Sequence, residues 1–63
     1  MKVRDVIKLV EADGWRYEKS EGSHRKYDHP AKPGKVIIAG HPSDEVKPKT
    51  LASILRQAGI RRK

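Results

Sequence analysis

A polar run in the middle of the chain, GSHRKYDHP at residues 22–30, contains the side chains best suited to chemistry. His24 follows a glycine turn, and two cations, Arg25 and Lys26, follow it. Histidine as a residue type exchanges a proton near neutral pH. RNA cleavage without a metal needs a base for the ribose 2′-OH, an acid for the leaving 5′-oxygen and cations for the charge on phosphorus. The pattern alone leaves two interpretations open, a catalytic His24 and a surface histidine on a basic hairpin.

The other two histidines have weaker claims to a role. His29 precedes Pro30, and we expect it to end a strand; His41 lies in a loop and could serve as a second proton-transfer group. No pair of histidines has the spacing of a zinc ligand set, and the chain has no cysteine. A P-loop and a dinucleotide-binding fingerprint are also absent from the sequence. We therefore expect no metal and no cofactor.

The charge of the chain favours a polyanionic partner. Fifteen lysines and arginines oppose eight acidic residues, which gives a net charge of +7 on 63 residues. Such a field attracts nucleic acid, although solubility alone would also explain it. Phosphate contact and solubility are likewise both open for the basic residues near the predicted helix ends, Lys2, Arg4, Lys47, Lys49 and the tail 61–63.

Length and hydropathy restrict the class of protein further. Sixty-three residues suffice for one small domain, 1–63, and leave no room for a large substrate cavity. Apolar runs are too short for a transmembrane helix, and the first residues are charged where a signal peptide needs an apolar stretch. We expect a cytoplasmic protein.

Hydrophobic periodicity predicts the elements that must position these residues. Apolar residues spaced i, i+3, i+4, i+7 predict a helix over 2–12 and another over 48–58, ended by Gly14 and Gly59. Ile60 is expected to fold back as the apolar contact after the second cap. Between the helices, alternation and turn residues predict strands over 15–19, 23–29 and 36–39, with turns at 21–22 and 31–34. Residues 40–47 are predicted to form a loop, and residues 61–63 a frayed basic tail.

This order predicts an α+β fold, α-β-β-β-α, in which both helices cover one face of a three-stranded antiparallel sheet. The other face is left open to solvent or to a partner. If Tyr27 points to the core, His24, Lys26 and Asp28 point to the open face, and Ser23 and Arg25 share the side of Tyr27. Whether Arg25 faces a ligand or the core is therefore open.

The aromatic residues could either pack or stack on unpaired bases. Trp15 directly follows the first helix, which favours packing in the core. Tyr17 and Tyr27 remain undecided between the two roles.

Three stretches together resemble the HicA toxins over essentially the whole chain. They are DVIKLVEADGW at 5–15, GSHRKYDHP at 22–30 and PKTLASILRQAGI at 48–60. Lys49 before Thr50 departs from the glycine often found there in the family, and the segment 40–46 is variable, so His41 takes no role from the resemblance.

The resemblance implies a fold like the double-stranded-RNA-binding domain and an mRNA interferase activity, with His24 as the catalytic residue. It also implies a HicB-type antitoxin that covers the active surface. Ser23, Arg25, Lys26 and Lys19 are then expected to contact RNA. The expected products are a 2′,3′-cyclic phosphate and a 5′-hydroxyl. The alternative hypothesis is a binding module of the same fold that contacts RNA without cleaving it.

Overall fold

The structure is a computed structural model that describes residues 1–60, so the predicted basic tail at 61–63 lies outside the described residues. Five elements follow one another in the predicted α-β-β-β-α order. They are α1 (Val3–Ala12), β1 (Arg16–Glu21), β2 (His24–Asp28), β3 (Val36–Ala39) and α2 (Pro48–Ala58).

Both helices are amphipathic and begin and end close to the predicted positions. Pro48 opens α2, where its missing N–H has no intrahelical partner to lose. Gly59 ends α2 in the left-handed conformation, with φ of 66°. The Ile60 N–H then donates to the Leu55 carbonyl at 2.9 Å, and Ile60 packs against the core as predicted.

The three strands form an antiparallel sheet in the order β1-β2-β3. The predicted turn at 21–22 is wrong by one residue, because Glu21 still pairs with His24 and the two-residue turn consists of Gly22 and Ser23. Gly22 has φ of 59°, a value that favours glycine in a tight hairpin turn. The predicted first strand, 15–19, was therefore two residues short at its end, and the second, 23–29, was one residue too long at each end.

The core lies between the helices and one face of the sheet. Tyr27 from β2 and Val36 and Ile38 from β3 point to this side and are at most 2% exposed. The helices and the segment after α1 complete the cluster with Val3, Val6, Val10, Trp15, Ile54 and Ala58. Trp15 is thus a core residue, as the sequence favoured.

β1 is uncovered, although the alternation of aromatic and charged residues over 15–19 predicts a half-buried strand. All six of its residues are exposed, whereas the helices pack mainly on β3. The alternating pattern of 15–19 predicted the wrong exposure for β1, because Trp15 precedes the strand and because the register with β2 shifts between Tyr17 and Lys19. This β-bulge leaves Glu18 without a directly opposite residue.

One lysine joins the ends of both helices. Lys32, in the loop between β2 and β3, forms an ion pair with the Asp13 carboxylate at the end of α1. Its ammonium also donates to the carbonyls of Ala58 (3.0 Å) and Gly59 (3.3 Å) at the end of α2. Carbonyls at a helix C-terminus lack intrahelical donors and attract cations. The buried Trp15 Nε1–H donates to the same Ala58 carbonyl at 3.1 Å.

His29 fixes the loop that carries this lysine. Its Nδ1 accepts the backbone N–H groups of Ala31 (2.9 Å) and Lys32 (3.1 Å), which requires an unprotonated Nδ1. Nε2 then carries the proton and donates to the Asp13 carbonyl at 2.9 Å. The ring also lies edge-on to Trp15, with centroids 5.2 Å apart. His29 thus anchors the loop beyond the strand end.

The loop at 40–47 closes the opposite end of the molecule by capping α1. The free N–H groups of Val3 and Arg4 donate to the carbonyls of Asp44 (2.9 Å) and Pro42 (3.1 Å). Across residues 1–60, no helix is both long and apolar enough to cross a bilayer.

The ion pair at the helix ends predicts an acid-sensitive contribution to stability. The hydrogen bond from Lys32 lowers the pKa of Asp13 below its ordinary value of 3.8, against an opposing effect of desolvation. A lowered carboxyl pKa contributes stability that is present above the unfolded-state pKa and is lost as the pH falls through the folded-state pKa. Asp13→Asn should therefore be less stable than wild type at pH 7, and the difference should shrink as the pH falls below 3.8 and disappear below the folded-state pKa.

Urea unfolding at pH 7, 5 and 3 measures this difference, with Glu11→Gln as a control for the loss of an exposed acidic charge on α1. A constant difference between wild type and Asp13→Asn across this range would contradict the role of the ion pair.

Candidate nucleic-acid interface

The open face of the sheet contains the sequence-predicted histidine. His24 lies opposite Glu21 of β1 and Ala39 of β3, so the three side chains share one face. Lys26 lies opposite Lys19 and Ile37 on that same face. The predicted division of β2 is confirmed, because Tyr27 is buried on the other side.

These side chains surround a shallow hollow of about 320 Å³, whose lining residues are Lys19, Glu21, His24, Lys26 and Ile37. Ile37 is 40% exposed and lies on the open side of β3, opposite Lys26. An exposed aliphatic side chain among charged neighbours offers a contact surface for an apolar group such as the face of a base. The hollow can therefore accept a group that is charged at one side and flat and apolar at the other.

Lys19 and Lys26 face each other across the β1–β2 ladder. Directly opposite residues in an antiparallel pair have Cα atoms about 4.5–5.5 Å apart, and like charges in such a pair are destabilising. Lys19 has a partial partner in Glu21, whose Oε1 lies 3.4 Å from its Nζ. A cation pair at this spacing is suited to hold one phosphate group between the two ammonium groups.

The bulge at Glu18 determines which charges reach this face. A regular strand would place Lys19 on the side of Tyr17, because side chains two apart share a face. The register shift instead pairs Lys19 with Lys26 and Glu21 with His24, so both residues of β1 point to the open side. The sequence pattern contained no clear signal for this shift.

Arg25 lies on the side of Tyr27, which answers the question left by the sequence. Its Nη1 donates to the Gly40 carbonyl at 2.8 Å, so the guanidinium connects β2 to the end of β3. Four further N–H groups of the guanidinium remain available as donors. Ser23 is exposed in the hairpin turn rather than in the strand, and its carbonyl accepts the Gly40 N–H at 3.2 Å.

His41 does not line the hollow. Its Nδ1 is 3.0 Å from the Ser43 hydroxyl, and its backbone N–H donates to the Asp44 carboxylate at 3.0 Å. Its ring therefore hydrogen-bonds within the loop that caps α1, and it is not among the residues that line the hollow with His24.

The sequence reasoning missed Glu21 as a member of the site. It was interpreted as a turn residue, because it directly precedes Gly22. The exact length of the hairpin loop would have been the signal, since a two-residue Gly-Ser turn makes Glu21 and His24 direct neighbours across the strands.

The two tyrosines differ in role. Tyr27 is 2% exposed, and burial raises the pKa of its phenol, so it is a core residue. Tyr17 is 54% exposed, with its ring edge-on to Tyr27 at a centroid distance of 5.9 Å and its hydroxyl hydrogen-bonded to Ser20. Tyr17 thus lies on the opposite face from His24.

Within residues 1–60 no cluster of three or more histidine, cysteine, aspartate or glutamate side chains could hold a metal ion. The hollow offers instead a titratable imidazole, a carboxylate and two ammonium groups on one face.

Comparison with known protein families assigns the chain. Residues 3–60 match the family described as the HicA toxin of bacterial toxin–antitoxin systems. The chain belongs to the HicA toxin family. It is thus the toxin component of a toxin–antitoxin pair, and the family implies an antitoxin partner. A search of curated proteins found no significant match. The HicA assignment agrees with the resemblance carried by the three sequence stretches.

The opposed lysines of this HicA chain predict a conflict between stability and binding. Lys26→Met should raise the free energy of unfolding by about 0.2–1 kcal/mol at low salt, since it removes a directly opposite like charge. The part of the gain that comes from relieved repulsion should shrink in 1 M salt, where the Debye length is about 3 Å. Urea unfolding at both salt concentrations measures it.

Lys8→Met, an exposed lysine on α1, is the matched control and should change little at either salt concentration. A loss of stability in Lys26→Met at low salt would show that the lysine pair carries no net repulsion.

Proposed function

We propose that this HicA toxin is an mRNA interferase, a metal-independent endoribonuclease that cleaves mRNA in the cytoplasm and blocks translation. The observation that carries the proposal is the position of His24 on the open face, between a carboxylate and an opposed pair of lysines. An exposed imidazole on the same face as two directly opposed lysines supplies what proton transfer at a ribose–phosphate linkage needs.

Lys19 and Lys26 bind the scissile phosphate in this proposal. Their ammonium groups neutralise the charge that grows on the non-bridging oxygens during attack by the 2′-OH. Ile37 contacts the adjoining base, and Ser23 at the hairpin tip contacts the backbone of the RNA. Arg25 contacts the RNA at the edge of the face, through the guanidinium N–H groups that do not bind the Gly40 carbonyl.

The proposed partner that neutralises the toxin is a HicB-type antitoxin that covers the open face. An antitoxin at this position would shield the lysine pair and His24 together, which prevents both binding and cleavage of RNA.

Replacement of the histidine tests the enzymatic part of the proposal. His24→Ala should abolish growth arrest and mRNA degradation on expression, whereas wild type should arrest growth and degrade mRNA. In vitro the cleavage rate should fall by at least about 10²-fold, the lower range for one general acid–base group. Circular dichroism and urea unfolding of His24→Ala check that any loss of activity is not a loss of folding.

The same assay separates cleavage from binding alone. If wild type and His24→Ala bind RNA equally and neither cuts it, the protein is an RNA-binding module without catalysis. Loss of wild-type activity on addition of a chelator would contradict the metal-independent mechanism.

Salt dependence tests the lysine pair separately. Each phosphate contact removed should reduce the slope of log K against log[salt] by about 0.7 for single-stranded RNA. Lys26→Met should therefore bind a non-cleavable 2′-deoxy analogue more weakly and with a smaller slope than wild type. Lys8→Met is the control, and an equal change in both variants would indicate a diffuse electrostatic effect without a phosphate site.

A further inference from the structure

Glu21 is the nearest acidic neighbour of His24 across the β1–β2 ladder. The two residues are directly paired, so their Cα atoms are about 4.5–5.5 Å apart and their side chains project from the same face. The Glu21 side chain is 77% exposed, which leaves its carboxylate free to meet a substrate. Its one ion-pair partner in the described residues, Lys19, is itself a member of the hollow.

The chemistry of 2′-OH attack needs two proton-transfer groups in one step. One removes the proton from the 2′-OH while the other gives a proton to the leaving 5′-oxygen, and the two oxygens lie on opposite sides of phosphorus. A single histidine cannot be protonated and unprotonated at once. His41, the other histidine considered, belongs to the α1-capping loop and does not line the hollow.

We propose that Glu21 is the general base of this site and that His24, in its protonated form, is the general acid. This assignment rests on the proposed ribonuclease function. The Glu21 carboxylate takes the 2′-OH proton as the 2′-oxygen forms a bond to phosphorus, and the bond from phosphorus to the 5′-oxygen breaks. The imidazolium of His24 gives its proton to the 5′-oxygen. The products are a 2′,3′-cyclic phosphate and a 5′-hydroxyl, and proton exchange with water restores both groups.

Lys19 has a second use in this arrangement. Its Nζ is 3.4 Å from Glu21 Oε1, so the same cation can contact the scissile phosphate and hold the carboxylate beside it. An exposed pair of this kind contributes little stability, and it can therefore rearrange when a phosphate enters.

The first test measures single-turnover cleavage of an oligonucleotide that contains one ribonucleotide in a DNA strand. Glu21→Gln keeps the size of the side chain but cannot accept the proton, so the rate should fall by about 10²–10⁴-fold. Binding of the all-deoxy analogue should be no weaker than in wild type, because the variant removes a negative charge. Glu11→Gln is the matched control, an exposed glutamate on α1 that is outside the hollow.

A second substrate distinguishes the base from the acid. When sulfur replaces the 5′-oxygen at the scissile bond, the leaving group departs without a proton. This substrate should restore the rate of His24→Ala substantially and leave Glu21→Gln as impaired as before. Restoration of Glu21→Gln instead would show that Glu21 is not the base, which would overturn the assignment.

The outcomes separate this inference from the proposed function. If wild type cleaves and His24→Ala does not, but Glu21→Gln cleaves at the wild-type rate, the function stands and Glu21 has no catalytic role. A loss of activity in His41→Ala with unchanged folding would point to His41 as the base and would overturn the inference if Glu21→Gln remained active. If wild type does not cleave RNA at all, the proposed function itself is wrong.

Discussion

The contacts of Lys32 with the ends of both helices are the constraint on which the rest of the fold depends. A small sheet with two helices on one side buries little surface. The C-termini of both helices and the long connection between β2 and β3 meet at Lys32. One ammonium group binds the Asp13 carboxylate and two terminal carbonyls of α2. His29 holds the backbone that carries the lysine. These hydrogen bonds and the ion pair stabilise the fold at a place where the short chain has too few apolar residues to form more core.

Because the helices pack mainly on β3, strand β1 contributes no residue to the core cluster. Tyr27 is the one buried residue of β2, while every residue of β1 is exposed. Charged residues on β1 therefore stay hydrated and carry no desolvation penalty. Opposed cations such as Lys19 and Lys26 are tolerated for this reason. Strand β1, which has no residue in the core cluster, therefore presents two of the five residues that line the candidate site.

The sequence predicted the fold where one period dominates a segment. Val3, Val6 and Val10 repeat at helical spacing, so α1 and its buried face were confirmed. The strand over 36–39 was also confirmed, but its apolar run did not show that only Val36 and Ile38 are buried. The face of His24 followed from the burial of a single residue, Tyr27. The order of the elements could be predicted from periodicity and turn residues, and the family from three stretches that match in order along the chain.

The remainder could not be predicted, because it depends on contacts distant in sequence. The end of β1 and the position of Glu21 depend on pairing with β2, which local alternation does not encode. The role of His29 depends on a carbonyl sixteen residues away and on a tryptophan, and neither contact leaves a pattern in the chain.

The bulge at Glu18 makes the site depend on strand register rather than on the side chain at the bulge. If the same residues paired without a bulge, Glu18 would lie opposite Lys26 and Lys19 opposite Arg25, so Lys19 and Glu21 would turn to the helix side and Ser20 to the open side. Almost any side chain could replace Glu18, whose own contact is an exposed ion pair with Lys35. The polarity of both faces is therefore set by the register of β1 against β2, and the hairpin is tolerant of substitution at the unpaired position.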